Sequence, residues 1–455
     1  MGKTITLQPV TRIEGHARIV IQLDDAGNVA DTKMHVQSLR GFEKFCIGRP
    51  LEEMPRIATR ICGLCCWAHH LAASKACDAI FEVEIPETAR KLRRLMQNLA
   101  YIADKIWSFF YLAAPDFIMG PHAHYSKRNI FGILEQEPDI AKKAAHMRYI
   151  CHMMIEHSVG RAIHPVAAVP GGFSKPMMEE ERKELLSGAK ELLEFCKLSL
   201  EYAKKNVFTK YEDLIKNLGT INTGFLGMVN DDGTLDFYDG KLRLMKPDGS
   251  NHEFGYQEYA DHIAQHIEPW TYQRFPYAKK WGGFSINLEN PVSIYRTNTL
   301  ARINVCEKMA TPLAQAELEE FRSKFGRPAQ YTLLYHYARL IEMLQCAEQA
   351  VELLEDPKIT GTDIRVKVEP KAGHAVGCVE DPRGTLIHDY EVDANGMITN
   401  VDIITGTTHN NAGINMSIKQ AAITLIKNGQ YDEGILNKIE MAIRAYDPCL
   451  SCATM

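Results

Sequence analysis

Apolar and polar residues alternate near the start of the chain, as they do in β-strands with one buried face. The segments 17–23 and 29–36 both alternate in this way, and the turn sequence Asp25-Ala26-Gly27-Asn28 separates them. A turn of this composition between two alternating segments is typical of a hairpin. The pattern therefore predicts a β hairpin region within residues 1–45.

Beyond the hairpin, apolar residues recur every three or four positions, which is the period of a helix with one buried face. This pattern begins at Glu87 and continues to Pro115, which is expected to end or kink the helix. Similar periodicity predicts helices at about 138–158 and 177–206. We therefore assign residues 86–206 to a helical core.

Two other segments have the pattern of short strands. In 221–250, Asp-Gly turns separate short apolar runs, and in 363–408 a turn is predicted at Asn395-Gly396. Both segments are expected to form small β regions.

The remaining helical patterns complete the expected fold. Residues 308–355 belong to the helical core, and Pro357 stops the pattern there. Residues 431–455 are expected to form a C-terminal helix, which stops before Pro448, followed by a tail that binds metal. Together the segments predict an α+β fold that is mainly α, with a central bundle of long helices and small peripheral β-sheets.

The composition excludes several classes of protein. A net charge of -5 without a Lys/Arg-rich block leaves no basic surface for nucleic acid. No stretch approaches about 18 consecutive apolar residues and the chain starts without an apolar signal core, so no membrane span is expected. Twelve cysteines, most of them scattered singly, are too few for a disulfide scaffold. These features favour a soluble protein of a reducing compartment, the cytoplasm.

Two Cys-x-x-Cys motifs carry the candidate chemistry. Cys62 and Cys65 lie towards one end of the chain, and Cys449 and Cys452 lie at the other. Four thiolates are soft ligands that can hold zinc, iron or nickel. A site closed from both ends predicts one interlocked domain over residues 1–455. On spacing alone, a structural zinc site and a disulfide exchanger that uses one motif both remain open.

The residues around these motifs resemble the signature segments of nickel-iron hydrogenase large subunits. The resemblance implies the large-subunit fold of that family. Within the family, the sequence is most similar to the methanogen type that does not reduce deazaflavin and is associated with heterodisulfide reductase. The similar segments, in family order, are 9–19 (PVTRIEGHARI), 40–43 (RGFE), 60–70 (RICGLCCWAHH), 112–117 (LAAPDF), 160–165 (GRAIHP), 381–384 (DPRG) and 447–455 (DPCLSCATM).

The resemblance implies a role for each cysteine of the two motifs. All four ligate nickel, and Cys65 and Cys452 also bridge to an iron that carries cyanide and carbon monoxide. Soft thiolates on nickel suit heterolytic cleavage of dihydrogen, because the terminal sulfurs of Cys62 and Cys449 can accept a proton. Glu14 corresponds to the family's proton-transfer carboxylate beside Cys449. A salt-bridged surface carboxylate is the alternative for Glu14.

Further residues acquire expected roles from the same resemblance. The guanidinium of Arg383 is expected above the metals with Asp116 and Asp447 as its partners, although an ordinary buried ion pair would have the same sequence. His69 is expected to donate to a bridging cysteine sulfur. His164 is expected between the nickel site and an iron-sulfur cluster of a partner. The alternative for both histidines is a core position.

A second metal site is also implied. Glu43 resembles the family's ligand to a divalent cation, usually magnesium, and the backbone carbonyl of Ile403 is expected as another ligand. The family ends on a histidine that helps to hold this cation, whereas this sequence ends on Met455. A thioether is a poor ligand for a hard cation, so the resemblance implies a weakened or altered site.

Electrons released at nickel need a carrier, and this sequence has no ferredoxin-type run of cysteines to provide one. The resemblance therefore implies an iron-sulfur small subunit, then a further electron-transfer subunit, and beyond them the heterodisulfide reductase complex. Two alternatives remain, namely a subunit of a deazaflavin-reducing hydrogenase and a non-catalytic scaffold that zinc holds together.

Overall fold

The computed structural model describes residues 3–455, and helix is the prevailing secondary structure. The α-helices, in chain order, are α1 (Phe42–Cys46), α2 (Met54–Ala58), α3 (Cys66–Ile80), α4 (Glu87–Ile106), α5 (Ala114–Ile118), α6 (Ile130–Gln136), α7 (Pro138–Val159), α8 (Glu179–Ala203), α9 (Glu212–Asn217), α10 (Tyr259–His262), α11 (Thr299–Val305), α12 (Pro312–Phe325), α13 (Tyr335–Glu355), α14 (Gly406–His409), α15 (Asn411–Leu425) and α16 (Glu433–Tyr446).

The strands form several small sheets. In spatial order these are β1-β2-β3, β4-β5, β10-β9, β11-β6-β7-β8 and β12-β13-β14, and only the β11-β6 pair is parallel. The strands are β1 (Thr4–Leu7), β2 (Ala17–Leu23), β3 (Val29–Val36), β4 (Ala168–Val169), β5 (Gly172–Phe173), β6 (Gly224–Val229), β7 (Lys241–Met245), β8 (Asn251–Phe254), β9 (Ile263–His266), β10 (Phe275–Ala278), β11 (Tyr295–Arg296), β12 (Gly373–Asp381), β13 (Gly384–Val392) and β14 (Ile398–Ile404).

The long helices α4, α7, α8 and α13 form the bundle that the apolar periodicity predicts. α13 packs against both α4 and α8, and α7 also packs against both of them. The periodic positions of α4, including Leu92, Leu95, Leu99 and Ile102, are all buried. Each fully buried side chain of this kind contributes roughly 1.5–3 kcal/mol relative to an exposed one. The predicted central bundle is therefore confirmed.

Two predicted helical segments differ in detail from the structure. The helix that begins at Glu87 passes through a π-helical turn at Trp107–Ala113 into α5, where Pro115 occupies the first turn. Pro115 therefore does not end the helix, and the irregular π-helical turn lies directly before it, where proline withholds an N–H from the helical hydrogen bonds. The segment 308–355 is divided into α12 and α13, because Gly326 follows α12 with a φ of 75°.

The predicted small peripheral sheets are confirmed, and their strands have bounds that differ from the predicted segments. The hairpin is β2-β3, with β1 added at its edge, and the sheet β12-β13-β14 has its second turn at Asn395-Gly396. The segment 221–250 contains β6 and β7. Periodicity did not identify α3 or α15, because both helices are buried on several sides and present no single apolar face.

α3 positions the first cysteine motif, and it packs closely on the sheet β12-β13-β14. The closest approach is at Gly377 of β12, where an added Cβ would lie 1.9 Å from the carbonyl oxygen of Ala72 and 2.7 Å from the nitrogen of Ala76. Only glycine therefore allows the backbone of β12 to lie this close to α3.

Gly377→Ala should displace α3 and destabilise the protein. Overpacking of this kind costs about 1–3 kcal/mol, which thermal unfolding would detect. Gly373→Ala in the same strand is the matched control, since its added Cβ would meet only Cγ2 of Ile80, at 3.5 Å. Equal melting temperatures for the two variants would contradict the packing constraint.

Candidate metal centre

The four cysteines of the two motifs meet in the interior of the protein. Their sulfur atoms all lie within 4.8 Å of one another. Sγ of Cys65 is 3.3 Å from Sγ of Cys452, and Sγ of Cys449 is 3.4 Å from Sγ of Cys62. All four side chains are buried. Within residues 3–455, no other group of three or more His, Cys, Asp or Glu residues offers ligand atoms arranged to hold a metal.

A short turn and the start of a helix hold the first pair. A 3-10 turn at Thr59–Ile61 leads into the extended residue Cys62, and Cys65 directly precedes α3. The backbone N–H of Leu64 donates to Sγ of Cys62 at 3.3 Å. A donor at this sulfur favours its thiolate form.

The second pair enters the site from the end of α16. Asp447 ends this helix in the left-handed conformation, with a φ of 50°, and so turns the chain away from the helix axis. The backbone N–H of Cys449 then donates to Oγ1 of Thr407 at 2.9 Å. The tail is therefore anchored before it reaches Cys452.

The segment around Glu14 pairs with this tail. The N–H of Glu14 donates to the carbonyl of Pro448 at 3.3 Å, and its carbonyl accepts from the N–H of Leu450 at 3.1 Å. Gly15 has a φ of +79°, and a Cβ there would lie 2.8 Å from Cβ of Leu450. Glycine is therefore required for the two segments to approach.

The carboxylate of Glu14 lies next to the site and is held by one residue of the tail. It accepts hydrogen bonds from the hydroxyl of Ser451 and from the backbone N–H of Ser451, the latter at 3.0 Å. Oγ of Ser451 is also 3.9 Å from Sγ of Cys449. The resemblance placed Glu14 beside Cys449, and the structure adds Ser451 between them.

The thiols of the cluster do not ionise equally. Hydrogen bonds from the thiols of Cys449, Cys452 and Cys65 lower the pKa of Cys62. Hydrogen bonds that the Cys65 thiol donates to the neighbouring sulfurs favour its protonated form and raise its pKa, and burial raises the pKa values of Cys449 and Cys452. A bound cation favours the thiolate form of all four, because metal ligation displaces thiol protons. This donor set fits a thiophilic transition metal.

Arg383 lies beside the cysteines and is fully buried. Its Nη1 donates to Oδ2 of Asp104 at 3.0 Å, and its Nη2 is 3.1 Å from Oδ2 of Asp447. Although burial opposes it, the charges of Asp104, Asp447 and the cysteines raise the pKa of Arg383. Nε of Arg383 has no acceptor in the protein, and Nη2 has none besides this ion pair, so each of the two nitrogens keeps one N–H free. These free donors can serve an anionic group bound at the cluster.

The predicted pairing of Arg383 with Asp116 is wrong. Asp116 instead accepts from Nη1 of Arg444 at 2.9 Å and from Asn437 at 3.1 Å, and it also pairs with Arg12. It lies in α5, on the side of that helix that faces α16, so its charge is already neutralised there. Asp104 of α4 is the partner that the sequence analysis missed. In the sequence, Asp104 was recognisable only as an acidic residue within an apolar helical pattern.

His69 belongs to a chain of buried hydrogen bonds. Its Nδ1 is 3.0 Å from Nε2 of His388, whose Nδ1 is 2.6 Å from the hydroxyl of Tyr390. Burial lowers the pKa of His69 to about 4, so its ring is neutral. Nε2 of His69 has no protein partner and is buried. If the hydroxyl of Tyr390 donates, the chain leaves an N–H on this atom, which suits a thiolate.

His164 lies at the rim of the same region. Its Nδ1 is 2.7 Å from the carbonyl of Thr59, and its backbone N–H donates to Sγ of Cys66 at 3.4 Å. Thr59 belongs to the turn that leads to Cys62, so His164 contacts the segment that carries a candidate ligand. The side chain is partly exposed.

The expected divalent-cation site contains a residue that the sequence analysis missed. Oε1 of Glu43 accepts from Nη2 of Arg274 at 2.8 Å and from the N–H of Ile403 at 2.9 Å. The same Nη2 donates to the carbonyl oxygen of Ile403 at 2.9 Å. Burial raises the pKa of Glu43, and Arg274 opposes this effect. Both predicted cation ligands are therefore already in contact with the guanidinium of Arg274.

Comparison with known proteins identifies the class. The family profile for nickel-dependent hydrogenases matches residues 40–135 and 288–455, and a profile described as HoxL-like matches residues 4–39. The chain therefore belongs to the nickel-dependent hydrogenase family. It is the catalytic subunit of a nickel-iron hydrogenase, an oxidoreductase.

Individual relatives agree over nearly the whole chain. One subunit of the F420-non-reducing hydrogenase vhu of Methanococcus voltae is 48% identical over 94% of this chain and 100% of the relative. The corresponding subunit of the F420-non-reducing hydrogenase of Methanothermobacter marburgensis is 45% identical over 99% of this chain and 94% of the relative. The beta subunit of the NAD-reducing hydrogenase HoxS of Cupriavidus necator is 36% identical over 100% of this chain and 95% of the relative.

Solved structures confirm the hydrogenase large-subunit fold. An NAD+-reducing NiFe-hydrogenase in the H2-reduced state superimposes with a TM-score of 0.94 and 38% identity, covering 100% of this chain and 99% of that one. The NiFeSe-hydrogenase of Dm. baculatum has a TM-score of 0.82 at 24% identity, covers 100% of both chains and shares the fold. None of the helices within residues 3–455 combines the length and the apolar character needed to cross a bilayer.

Cys65→Ser should abolish transition-metal binding, because a serine hydroxyl is a hard ligand that does not ionise at neutral pH. Cys66→Ser is the matched control from the next position. Cys66 is buried outside the cluster, and burial raises the pKa of its thiol to about 12. Elemental assay of the purified proteins would distinguish them. Loss of metal from the Cys66 variant, or its retention in the Cys65 variant, would contradict the assignment of ligands.

Proposed function

We propose that the chain binds a nickel-iron centre through Cys62, Cys65, Cys449 and Cys452 and catalyses the reversible cleavage of dihydrogen into protons and electrons. The observation that carries this proposal is a buried cluster of four sulfurs beside the unpaired donors of Arg383. A metal pair bound there supplies Lewis acidity and redox chemistry for a heterolytic cleavage.

The resemblance to the family supplies the finer assignment of ligands. By this resemblance all four cysteines would hold nickel, and Cys65 and Cys452 would also hold an iron that carries cyanide and carbon monoxide. The sulfurs of Cys65 and Cys452 are 3.3 Å apart and those of Cys62 and Cys449 are 3.4 Å apart, so the choice of the pair that also holds iron rests on the resemblance. His69 donates to a sulfur of this set and adjusts its electron density.

Arg383 orients and stabilises anionic groups at the centre. Asp104 and Asp447 hold its planar guanidinium in place, and two of its nitrogens keep donors without a protein acceptor. Donors fixed in a dry site need no reorganisation when charge develops nearby, and this favours charge separation in dihydrogen.

Glu14 moves the proton away from the terminal sulfur of Cys449. Ser451 lies between them, since its hydroxyl donates to the carboxylate and is 3.9 Å from that sulfur. A hydroxyl can accept a proton on one side while it donates on the other. The path therefore runs from Cys449 through Ser451 to Glu14.

Electrons leave towards an iron-sulfur small subunit. The surface near His164 favours such a partner, because Ile163 and Val166 are large apolar residues that are 47% and 39% exposed. His164 would then lie between the centre and the nearest cluster. Relatives named F420-non-reducing argue against reduction of F420, a deazaflavin. The resemblance stated above implies a further electron-transfer subunit and the heterodisulfide reductase complex as the route for the electrons. All twelve cysteines are free, as suits the cytoplasm.

Infrared spectroscopy and elemental assay of the purified complex test the proposal. Cyanide and carbonyl stretches, with nickel and iron in equal amounts beyond the clusters of the partner, are expected. Zinc at the four cysteines without these stretches would favour the non-catalytic scaffold instead. We do not expect magnesium at Glu43, because Nη2 of Arg274 already contacts both of the oxygen atoms that were expected to bind it.

Glu14→Gln should keep both metals and lose most turnover, because an amide cannot take up the proton. A general acid-base group contributes typically 10²–10⁴-fold, so a decrease of about this size is expected. Hydrogen-dependent dye reduction and metal content should be measured on the same preparation. Ser451→Ala should give a smaller decrease, because water can replace the hydroxyl. Full turnover in Glu14→Gln with full metal content would contradict the relay.

Asp104→Asn should lower turnover by about 10-fold to 100-fold, as expected when a group that orients a functional residue is lost. Asp116→Asn is the matched control, since both carboxylates are buried and each binds an arginine. It should lower the melting temperature while changing turnover much less, because Asp116 serves Arg12 and Arg444. Equal turnover in the two variants, at equal metal content, would contradict the role of Asp104 in positioning Arg383.

A further inference from the structure

Arg274 lies where α1 meets β14. The same nitrogen, Nη2, is 2.8 Å from Oε1 of Glu43 and 2.9 Å from the carbonyl oxygen of Ile403. The other terminal nitrogen, Nη1, is 2.7 Å from Oδ1 of Asp402. One guanidinium therefore joins two carboxylates and a carbonyl oxygen, which are the ligand types that hard divalent cations take.

A divalent cation cannot share these oxygens with Arg274. Magnesium requires oxygen ligands at about 2.0–2.1 Å, so an ion bound to both oxygens would collide with Nη2 and meet its positive charge. The second oxygen of Asp402 and the N–H of Ile403 also have protein partners. Oδ2 of Asp402 accepts from Gln265 at 2.9 Å and from Tyr259 at 3.3 Å, and the N–H of Ile403 donates to Glu43.

The C-terminal residue gives an independent reason. In the family pattern a histidine three residues after the last cysteine helps to hold the cation, but here that position is Met455, whose thioether is a poor ligand for a hard ion. The tail is instead held by protein groups, since the N–H of Arg40 donates to the carbonyl of Thr454 at 3.0 Å. The side chain of Met455 packs against the apolar core.

We propose that the guanidinium of Arg274 replaces the divalent cation between Glu43 and the carbonyl of Ile403, so that α1 and β14 are joined here without magnesium or a similar ion. The planar fork of arginine suits this place, because it reaches Glu43 and Asp402 from separate nitrogens. The inference concerns a site apart from the cysteines, and it stands whether or not the proposed dihydrogen chemistry is correct.

Metal content tests the proposal directly. The purified hydrogenase complex and its Glu43→Gln variant should be exchanged through chelator, returned to buffer with millimolar magnesium and desalted. The side chains of Glu43 and Arg274 are about a quarter exposed, so solvent ions can reach the site. Equal magnesium, manganese and calcium contents are expected for the two proteins. One ion fewer per large subunit in Glu43→Gln would overturn the proposal.

Thermal stability tests whether the oxygens around Arg274 would bind a divalent cation if the guanidinium were absent. In the wild type, the melting temperature should be the same in chelator and in millimolar magnesium. Arg274→Gln leaves Glu43 and Asp402 uncompensated, so its melting temperature should fall by several degrees in chelator and rise again with magnesium. A wild type stabilised by magnesium, or an Arg274→Gln variant that magnesium does not stabilise, would overturn the proposal.

Two further variants make the thermal test specific. Arg322→Gln is the control, because Arg322 donates to the carbonyls of Ile303 and Cys306 at 2.8 and 2.7 Å and pairs with no carboxylate. It should lose stability that magnesium does not restore. Arg274→Lys keeps one positive charge and provides a folded protein if the glutamine variant does not assemble, and its melting temperature should be independent of magnesium. Nickel and iron, measured in the same samples, test the catalytic centre separately.

Discussion

The structure depends on the joining of the two ends of the chain at one buried place. The backbone of Glu14 pairs with Pro448 and Leu450, and the sulfurs of the tail then reach those of Cys62 and Cys65. Neither cysteine pair can form the site alone. A metal that binds all four sulfurs therefore also closes the fold, because its binding free energy contributes to folding.

The buried charged side chains around the cysteines are neutralised by contacts with buried side chains of opposite charge. Arg302 donates to Glu342 and Glu380, and Lys105 also donates to Glu342, with all four side chains fully buried. Arg302 also donates to the carbonyls of Asp381 and Pro382, which directly precede Arg383. The ion network thus fixes the turn that carries Arg383. Removing one member of such a network leaves an uncompensated charge, which costs far more than the intact network contributes.

Much of the fold and the central part of the site could be predicted from the sequence. Local periodicity identified α4 and the hairpin β2-β3, because alternation and helical period depend on neighbouring residues alone. The two cysteine motifs were also identified locally, and only their flanking residues distinguished a hydrogenase from a zinc protein. Helices buried on several sides, such as α3, were not predicted because they lack a single apolar stripe.

The sequence by itself determined which residues could ligate a soft metal and, where the apolar pattern is regular, which segments are helices and which are strands. The tertiary structure decided which charged groups meet: Asp104 rather than Asp116 at Arg383, Ser451 between Glu14 and Cys449, and Arg274 at Glu43. These contacts join residues far apart in the chain. The position of a charged residue in the sequence does not indicate which distant residue it will contact. Only the packed fold could therefore show which charged groups are paired.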